Sequence, residues 1–522
     1  MHTRAKVPLL ASIAVAGICA VLLTATSSGL PMVWDEGNAI HRAEGIWQGE
    51  WQYTTHVEGH PALYGIVIAA GQRFARGWLL PLDAARFGPM MLFAVAAGAM
   101  FYRVWREYSA TAAVGAVTAL LLLPRMFAHA HFASFDGPLT SCWILAWATF
   151  APAVRNWRWA VVWGIALGMT LSCKATGWIA PVPFVLWAVA YRDRAAGKAL
   201  AVGLPVAVAT FFALNPPLWQ VPLAGWITFF QLNLNRAANP GLNISTWFLG
   251  RMYNLDYPLP WYNTLFWTAV TVPVGILLLA IVGVGSTLRS RGRHAAGTLI
   301  LANWLVLLIV RAIPGTPPHD GVRQFLPSFA FLAVLAGVGS AAVLGWAAGR
   351  WANNVRARVA TAAAVVLIFA GSASSLAWYA PQWLSYYNLL IGGLPGATAA
   401  GMEPTYYWDG LDRSVVDWLH ENTAKDEAIR FGASSAENLE LLRQWEVIRR
   451  PAGVDVPEHF RWYVMQRRPS GYRPVDSWLI KNETPAYQKR IHGTGIGPWR
   501  LDVPLVEVYS HEQYQRARFS PG

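Results

Sequence analysis

The chain has 522 residues, of which 55% are hydrophobic and 13% charged, against about 25% charged in an ordinary soluble domain. These values exclude a disordered chain and argue against a soluble enzyme of this size. The net charge of +13 would suggest nucleic acid in a soluble protein, but no basic-aromatic platform accompanies it, and nucleic acid is not an expected partner.

The apolar residues are bunched. Pro8–Leu23, Thr264–Val284 and Phe325–Trp346 carry almost no charge, and a membrane span needs about 20 mostly apolar residues. The chain therefore reads as a polytopic membrane protein embedded in a lipid bilayer. Spans are expected at roughly 7–29, 84–104, 109–128, 133–153, 157–173, 176–191, 199–215, 262–287, 296–312, 322–347 and 357–379. The first, behind Arg4 and Lys6, is longer than the apolar region of a signal peptide and ends in no A-x-A site, so it reads as an uncleaved helix with its N-terminus in the cytoplasm.

One stretch, His60–Phe74, is short for a span and contains Pro61, Gly65, Gly71 and Gln72. The charges decide its reading. If it does not cross, fifteen Lys and Arg residues in six short segments fall on one side: Arg4 and Lys6, Arg103 and Arg106, Arg155 and Arg158, Arg192 to Lys198, Arg289 to Arg293, and Arg350 to Arg358. Such a side is cytoplasmic by the positive-inside rule. His60–Phe74 is then a re-entrant or surface-lying helix, and eleven spans put the C-terminus outside the cytoplasmic (inner) membrane.

The long segments fall on the outer face. The loop 30–83 is followed by a loop 216–261 rich in Trp, Pro and Asn, whose Trp219, Trp226, Trp247 and Trp261 suit an interfacial belt. The chain divides into a transmembrane part, 1–379, and a tail, 380–522. Strand-like runs at Ala428–Ala433, Trp462–Gln466 and Leu505–Tyr509, with a helical Ala436–Trp445, predict a small extracytoplasmic α/β domain in the tail. The expected fold class is thus an all-α bundle of about eleven transmembrane helices plus that domain. No internal repeat is visible. Cys19, Cys142 and Cys173 all lie in apolar stretches and form no disulfide or metal-ligand pattern.

The most informative motif is Trp34-Asp35-Glu36-Gly37. Beside a membrane, a carboxylate pair is costly unless it has a task or a partner. One reading makes it a general base for an acceptor hydroxyl. The other makes Asp35 the N-cap of a helix over Gly37–Trp47. On the topology above, His60, Arg86, Arg125, His129, His131, Asp136, Lys174, His319, Asp320 and Arg323 converge on the same outer face. Cations there can meet a lipid phosphate, or snorkel, or pair internally. His60, His131, His319 and Asp320 are candidate substrate-binding residues. Three patterns are set aside. His56-Val-Glu-Gly-His60 has its Glu one position too late for a zincin helix. His129-Ala-His131 has no nearby partners for a metal. Gly493-Thr-Gly-Ile-Gly497 opens no helix to receive a pyrophosphate.

Taken in order, Asp35-Glu36, His60-Pro61, Arg86-Phe-Gly-Pro89, Phe135-Asp-Gly-Pro-Leu139, His319-Asp-Gly-Val-Arg-Gln-Phe-Leu-Pro327, Tyr386–Gly393 and Gly401-Met-Glu-Pro-Thr-Tyr-Tyr-Trp408 resemble the bacterial relatives of the protein O-mannosyltransferases, which are GT-C glycosyltransferases. The resemblance covers about residues 1–420. It implies inverting transfer of a sugar from a polyprenyl-phosphate donor to a protein, lipid or glycan acceptor on the extracytoplasmic face. It further implies that Asp35 is the catalytic acidic residue with Glu36 beside it, that Arg86 meets the donor phosphate, and that Asp136 is the acidic residue opening a later span. Lys174 and Arg323 are candidate companions of Arg86. The chain departs from the pattern at His60-Pro61-Ala62, where a second Pro is common, and has no room for the lumenal β-trefoil repeats of the eukaryotic enzymes, so the sugar and the acceptor stay open.

The chemistry agrees with this residue set. A lipid phosphate is already a leaving group, so the reaction needs a base and cations. Arg and Lys can neutralise a phosphate monoanion, so no cofactor is required and a divalent cation is optional. A transporter or flippase for a lipid-linked or anionic substrate is the alternative, but it would place its ionisable groups near mid-membrane, often in repeated halves.

Overall fold

The computed structural model describes residues 2–51, 58–235, 243–290, 294–456, 458–492 and 502–520. The chain is mostly helical, with a small sheet near its C-terminus. Among the described residues, six helices are long and apolar enough to cross a membrane: Lys6–Ser27, Pro81–Glu107, Arg194–Ala213, Ala295–Ala312, Gly321–Arg350 and Val355–Trp378. The other expected spans are helical but shorter, broken or less apolar. The run 109–128 splits into Ala110–Leu121 and Pro124–His129, and 262–287 into Asn263–Thr271 and Val274–Arg289. Proline stands at both breaks, where its missing N–H cannot continue the ladder.

Short turns on the basic side carry local start signals. Ser109, Asn156, Asp193 and Asn354 each accept a backbone N–H of the helix they precede. Between helices, small residues let backbones approach: Gly283 lies on the backbone of Leu335 and Gly339, and Gly337 on that of Ala112 and Ala116. Membrane bundles are commonly tightened in this way, since lipid supplies no hydrophobic drive between helices.

The stretch read as non-crossing forms a helix, Leu63–Ala75. Thirteen residues reach about 20 Å, short of a hydrocarbon core about 30 Å thick. Its Tyr64, Ile68 and Ala69 are buried, and its Gly71 meets Gly88 of Pro81–Glu107 backbone to backbone.

The loop 216–261 contains the helix Pro222–Leu234 and a hairpin, Thr246–Phe248 with Arg251–Tyr253. The hairpin turns on Leu249 and Gly250, both at positive φ, as a two-residue primed turn requires. Gly250 N donates to Gly401 O at 2.9 Å, tying this loop to the tail. Trp219 and Trp261 are exposed, as a belt at the interface requires.

The expected tail strands and helix form at Ile429–Phe431, Trp462–Gln466, Val503–Ser510 and Ala436–Gln444. Two further strands complete a five-stranded mixed sheet. Its order is Ala452–Gly453, Ile429–Phe431, Trp462–Gln466, Val503–Ser510, Tyr487–Ile491; the first three run parallel and the last two pair antiparallel. The apolar core runs without a break from the bundle into this sheet through Tyr387, Tyr406, Tyr407, Leu439 and Val464.

Candidate active site

Asp35 immediately precedes the helix Glu36–Trp47 but makes no capping hydrogen bond to it. The helix is capped from far along the chain. Asn438 Oδ1 accepts Gly37 N at 2.8 Å, while its Nδ2 donates to Val33 O at 2.8 Å. The Asp35 side chain is thereby free to point elsewhere. Its Oδ2 accepts Arg323 Nη1 and the Tyr407 hydroxyl, each at 2.8 Å. Its Oδ1 takes no hydrogen bond among the described residues, and the side chain is 23% exposed on a cavity of about 500 Å³.

Glu36 is different in every respect. It is fully buried, and both oxygens are saturated. Oε1 accepts Arg86 Nε and Ala133 N at 2.8 Å each, and Oε2 accepts Arg86 Nη2 at 2.7 Å and Val33 N at 3.0 Å. Arg86 also donates through Nη1 to Leu30 O and through Nη2 to Pro31 O. The expected phosphate ligand Arg86 is not brought to the cavity wall. It has no exposed surface, and each of its nitrogens already holds an acceptor. Glu36 lies off the wall with it, a buried carboxylate already holding four donors.

Arg323 is the hub of the site. It lies where a short 3-10 turn, Gly321–Phe325, leads into the long helix Leu326–Arg350. Its Nη1 reaches Asp35 and, at 3.2 Å, Asp136; its Nε reaches Asp320 at 2.9 Å. Asp136 opens the helix Asp136–Arg155 and also accepts Lys174 Nζ at 2.8 Å. Lys174 stands over the Phe135 ring, 4.8 Å from its centre, and donates to Gln324 at 3.3 Å. Asp320, at φ +61, accepts Arg468 Nη2 at 2.9 Å. Burial opposes its charge, but Arg323 and Arg468 outweigh burial and hold its carboxyl below the usual carboxylate range.

Asp35, His60, Lys174, His319, Asp320 and Arg323 all line the cavity. His60 stacks on Phe135 at 5.5 Å. Asp136 sits just behind the wall, fully buried. His131 is not brought there. Its Nε2 meets Thr26 Oγ1 at 2.9 Å, its Nδ1 meets Phe127 O at 2.7 Å, and its ring stacks on Trp383. Of the patterns set aside, Glu58 pairs with Arg42; residue 56 and the run 493–497 lie outside the described residues. Among the described residues, no three His, Cys, Asp or Glu side chains gather as a metal would need.

Several wall residues escaped the sequence reading: Arg42, Gln324, Trp408, Arg468 and, beside Asp35, Tyr407. Trp408 takes positive φ, +61, which a bulky residue adopts only under constraint. Trp34 at 5.5 Å and the Arg468 guanidinium at 4.8 Å hold it. Tyr407 and Trp408 belong to a segment quoted above for its resemblance, so a signal existed for them; Arg468 belongs to no pattern.

Residues 81–257 match the model of the dolichyl-phosphate-mannose-protein mannosyltransferase family. No curated protein sequence matches the chain significantly. Among solved structures, the archaeal oligosaccharyltransferase AglB from Archaeoglobus fulgidus, in complex with an inhibitory peptide and a dolichol-phosphate, is similar with a TM-score of 0.53 at 11% identity, over 94% of this chain and 74% of that one. The same organism's oligosaccharyltransferase tethered to an acceptor peptide has a TM-score of 0.51, again at 11% identity over 94% and 74%. ArnT from Cupriavidus metallidurans, bound to undecaprenyl phosphate, has a TM-score of 0.49 at 15% identity over 95% and 97%. The resemblance read from the sequence is borne out: the chain is similar to the mannosyltransferase family over about a third of its length and shares the fold of the AglB oligosaccharyltransferase structures.

Proposed function

We propose that this protein is an integral-membrane glycosyltransferase. It transfers a sugar from a polyprenyl phosphate, with inversion, to a hydroxyl of a protein, lipid or glycan acceptor at the extracytoplasmic face of the inner membrane. The observation that carries the reading is Asp35: one oxygen is anchored by Arg323 and Tyr407, and the other is free of donors on a cavity that Lys174 and Arg323 also line. In the proposed reaction the acceptor oxygen attacks the anomeric carbon from the face opposite the phosphate. Its proton passes to Asp35 Oδ1, and the bond from anomeric carbon to phosphate oxygen breaks. The electron pair leaves on the phosphate, whose charge Lys174 and Arg323 offset. One displacement inverts the anomeric centre. Asp136 aims both cations, accepting from each, and His60 and His319 are wall groups for the sugar or the acceptor.

The donor class is supported by the family similarity and by the dolichol-phosphate in the AglB complex, a protein of the same fold. Topology rests on the fifteen basic residues of one side. With that orientation the segment 380–522 is an extracytoplasmic unit that roofs the cavity, contributing Trp408, Arg468 and Ser470 to its wall.

The test is consumption of polyprenyl-phosphate sugar by purified protein in detergent. Release of polyprenyl phosphate there, with the sugar moving to an added acceptor or water, is the expected result. Activity that appears only across a sealed membrane would instead make the protein a transporter.

A further inference from the structure

Arg468 comes from the loop after the central tail strand Trp462–Gln466 and is 3% exposed, at the wall of the cavity. Its Nη2 donates to Asp320 and its Nε to Ser470 Oγ at 3.3 Å; the same Nε lies 3.5 Å from Glu403 Oε2. Nη1 makes no hydrogen bond among the described residues. By contrast, Arg86 and Arg323 have every nitrogen committed, and both Nη atoms of Arg42 are held by Tyr64 and Glu58. Arg468 thus combines a place on the cavity with an unspent pair of donors.

Ion pairs join Asp35, Asp136, Asp320 and Glu403 to Lys174, Arg323 and Arg468, and Arg311 and Asp409 act on the same groups from behind. A phosphate that takes Arg468 leaves a buried carboxylate short of its cation, and a proton relieves that charge. Asp35, Asp136 and Asp320 each bond Arg323 directly. Glu403 does not. It is fully buried, and its Oε1 accepts Ser470 N at 2.8 Å, while its Oε2 has no hydrogen-bond partner among the described residues. The titratable groups facing it are Arg468, Asp320, Tyr387, Tyr406 and Tyr472.

We infer that Arg468 is a ligand of the lipid monophosphate, delivered to the cavity by the C-terminal sheet, and that Glu403 is the positioning residue that holds it in the empty site and accepts a proton when the phosphate takes it. Burial already pushes the Glu403 carboxyl up to about 7, against the pull of Arg468. The inference rests on the polyprenyl-phosphate reading above, and the experiment separates the two. Undecaprenyl phosphate is bound to the full-length wild-type, Arg468→Ala, Arg468→Lys and Glu403→Gln proteins in detergent between pH 6 and 8, with undecaprenol as the arm lacking phosphate.

Arg468→Ala is expected to bind roughly ten- to a hundredfold more weakly. Arg468→Lys should recover part of that, since it keeps the charge and loses the fork. Neither variant should alter undecaprenol binding. Glu403→Gln is expected to bind at least as tightly as wild type at pH 8 and to gain on it as pH rises through 7; comparing the two at each pH cancels the phosphate's own titration. Wild-type affinity in both Arg468 variants overturns the inference and leaves the donor reading intact. A wild-type protein that binds undecaprenyl phosphate no better than undecaprenol overturns both. If Arg468→Ala does not fold, a constant ratio between Glu403→Gln and wild type across the pH range is the overturning result.

Discussion

A carboxylate that takes a proton from substrate needs an oxygen free of donors, and Asp35 has one where its neighbour Glu36 has none. Asp35→Asn should therefore bind donor almost normally and transfer sugar about 10²–10⁴-fold more slowly in single-turnover assays at saturating donor; wild-type rates would reject the role. Glu36→Gln should fail differently. It breaks a fully buried pair with Arg86, which typically costs about 3–5 kcal/mol, so the loss should appear as a lower thermal midpoint and a poor yield of folded protein. Glu403 makes a third prediction, with a definite sign. Its carboxyl sits at about 7 in the fold against 4.5 unfolded, so between those values the folded state holds the extra proton. Its contribution is complete below about pH 4.5 and is lost as pH rises through 7, a swing of about 3 kcal/mol. Thermal midpoints of Glu403→Gln and wild type should therefore converge at pH 5 and separate at pH 8, with the variant the more stable. Equal separation at both values would reject the buried-acid assignment.

The helices show two kinds of end. On the basic side, Ser109, Asn156, Asp193 and Asn354 start helices through their own side chains, and such starts are readable from sequence because donor and acceptor are neighbours. Beside the cavity, the helix Glu36–Trp47 is capped by Asn438 of the tail helix Ala436–Gln444, and nothing near Asp35 in the sequence announces it. The N-cap reading of Asp35 fails for the same reason: the tail already supplies the acceptor. Asn438→Ala should leave Gly37 N without its acceptor and Val33 O with only the Glu36 N–H, costing about 1–3 kcal/mol, and should loosen the Asp35 loop. The measurements are thermal midpoint and turnover; loss of stability with full turnover would mean that the cap does not position Asp35. Gly37→Ala should act similarly, since a methyl group there meets both the backbone and the side chain of Asn438.

At the scale of the molecule, the proposed orientation predicts that Gly197→Cys, in the exposed turn opening Arg194–Ala213, is shielded from a membrane-impermeant maleimide in intact cells, whereas Lys425→Cys reacts. The three native cysteines are buried and should give little background; reversed labelling would reject the orientation. The helical character of the expected spans, the short covered helix after His60 and the central tail strands were all legible in the chain. They depend on hydropathy, proline placement and period-two alternation, which are local properties of neighbouring residues. The partners were not legible. Arg86 and Arg323 look alike in sequence, each an arginine near the outer start of an apolar run, yet one is locked against Glu36 and the other joins Asp35, Asp136 and Asp320. Tyr407, Trp408, Asn438 and Arg468 reach the same site from more than 350 positions beyond Asp35. Sequence alone could establish that anions and cations gather on one face, because charge and topology are additive along the chain. Which cation neutralises which carboxylate, and which is left with donors for a substrate, was decided by the tertiary structure, since pairing in a buried site depends on distances of about 3 Å between segments that only the fold brings together.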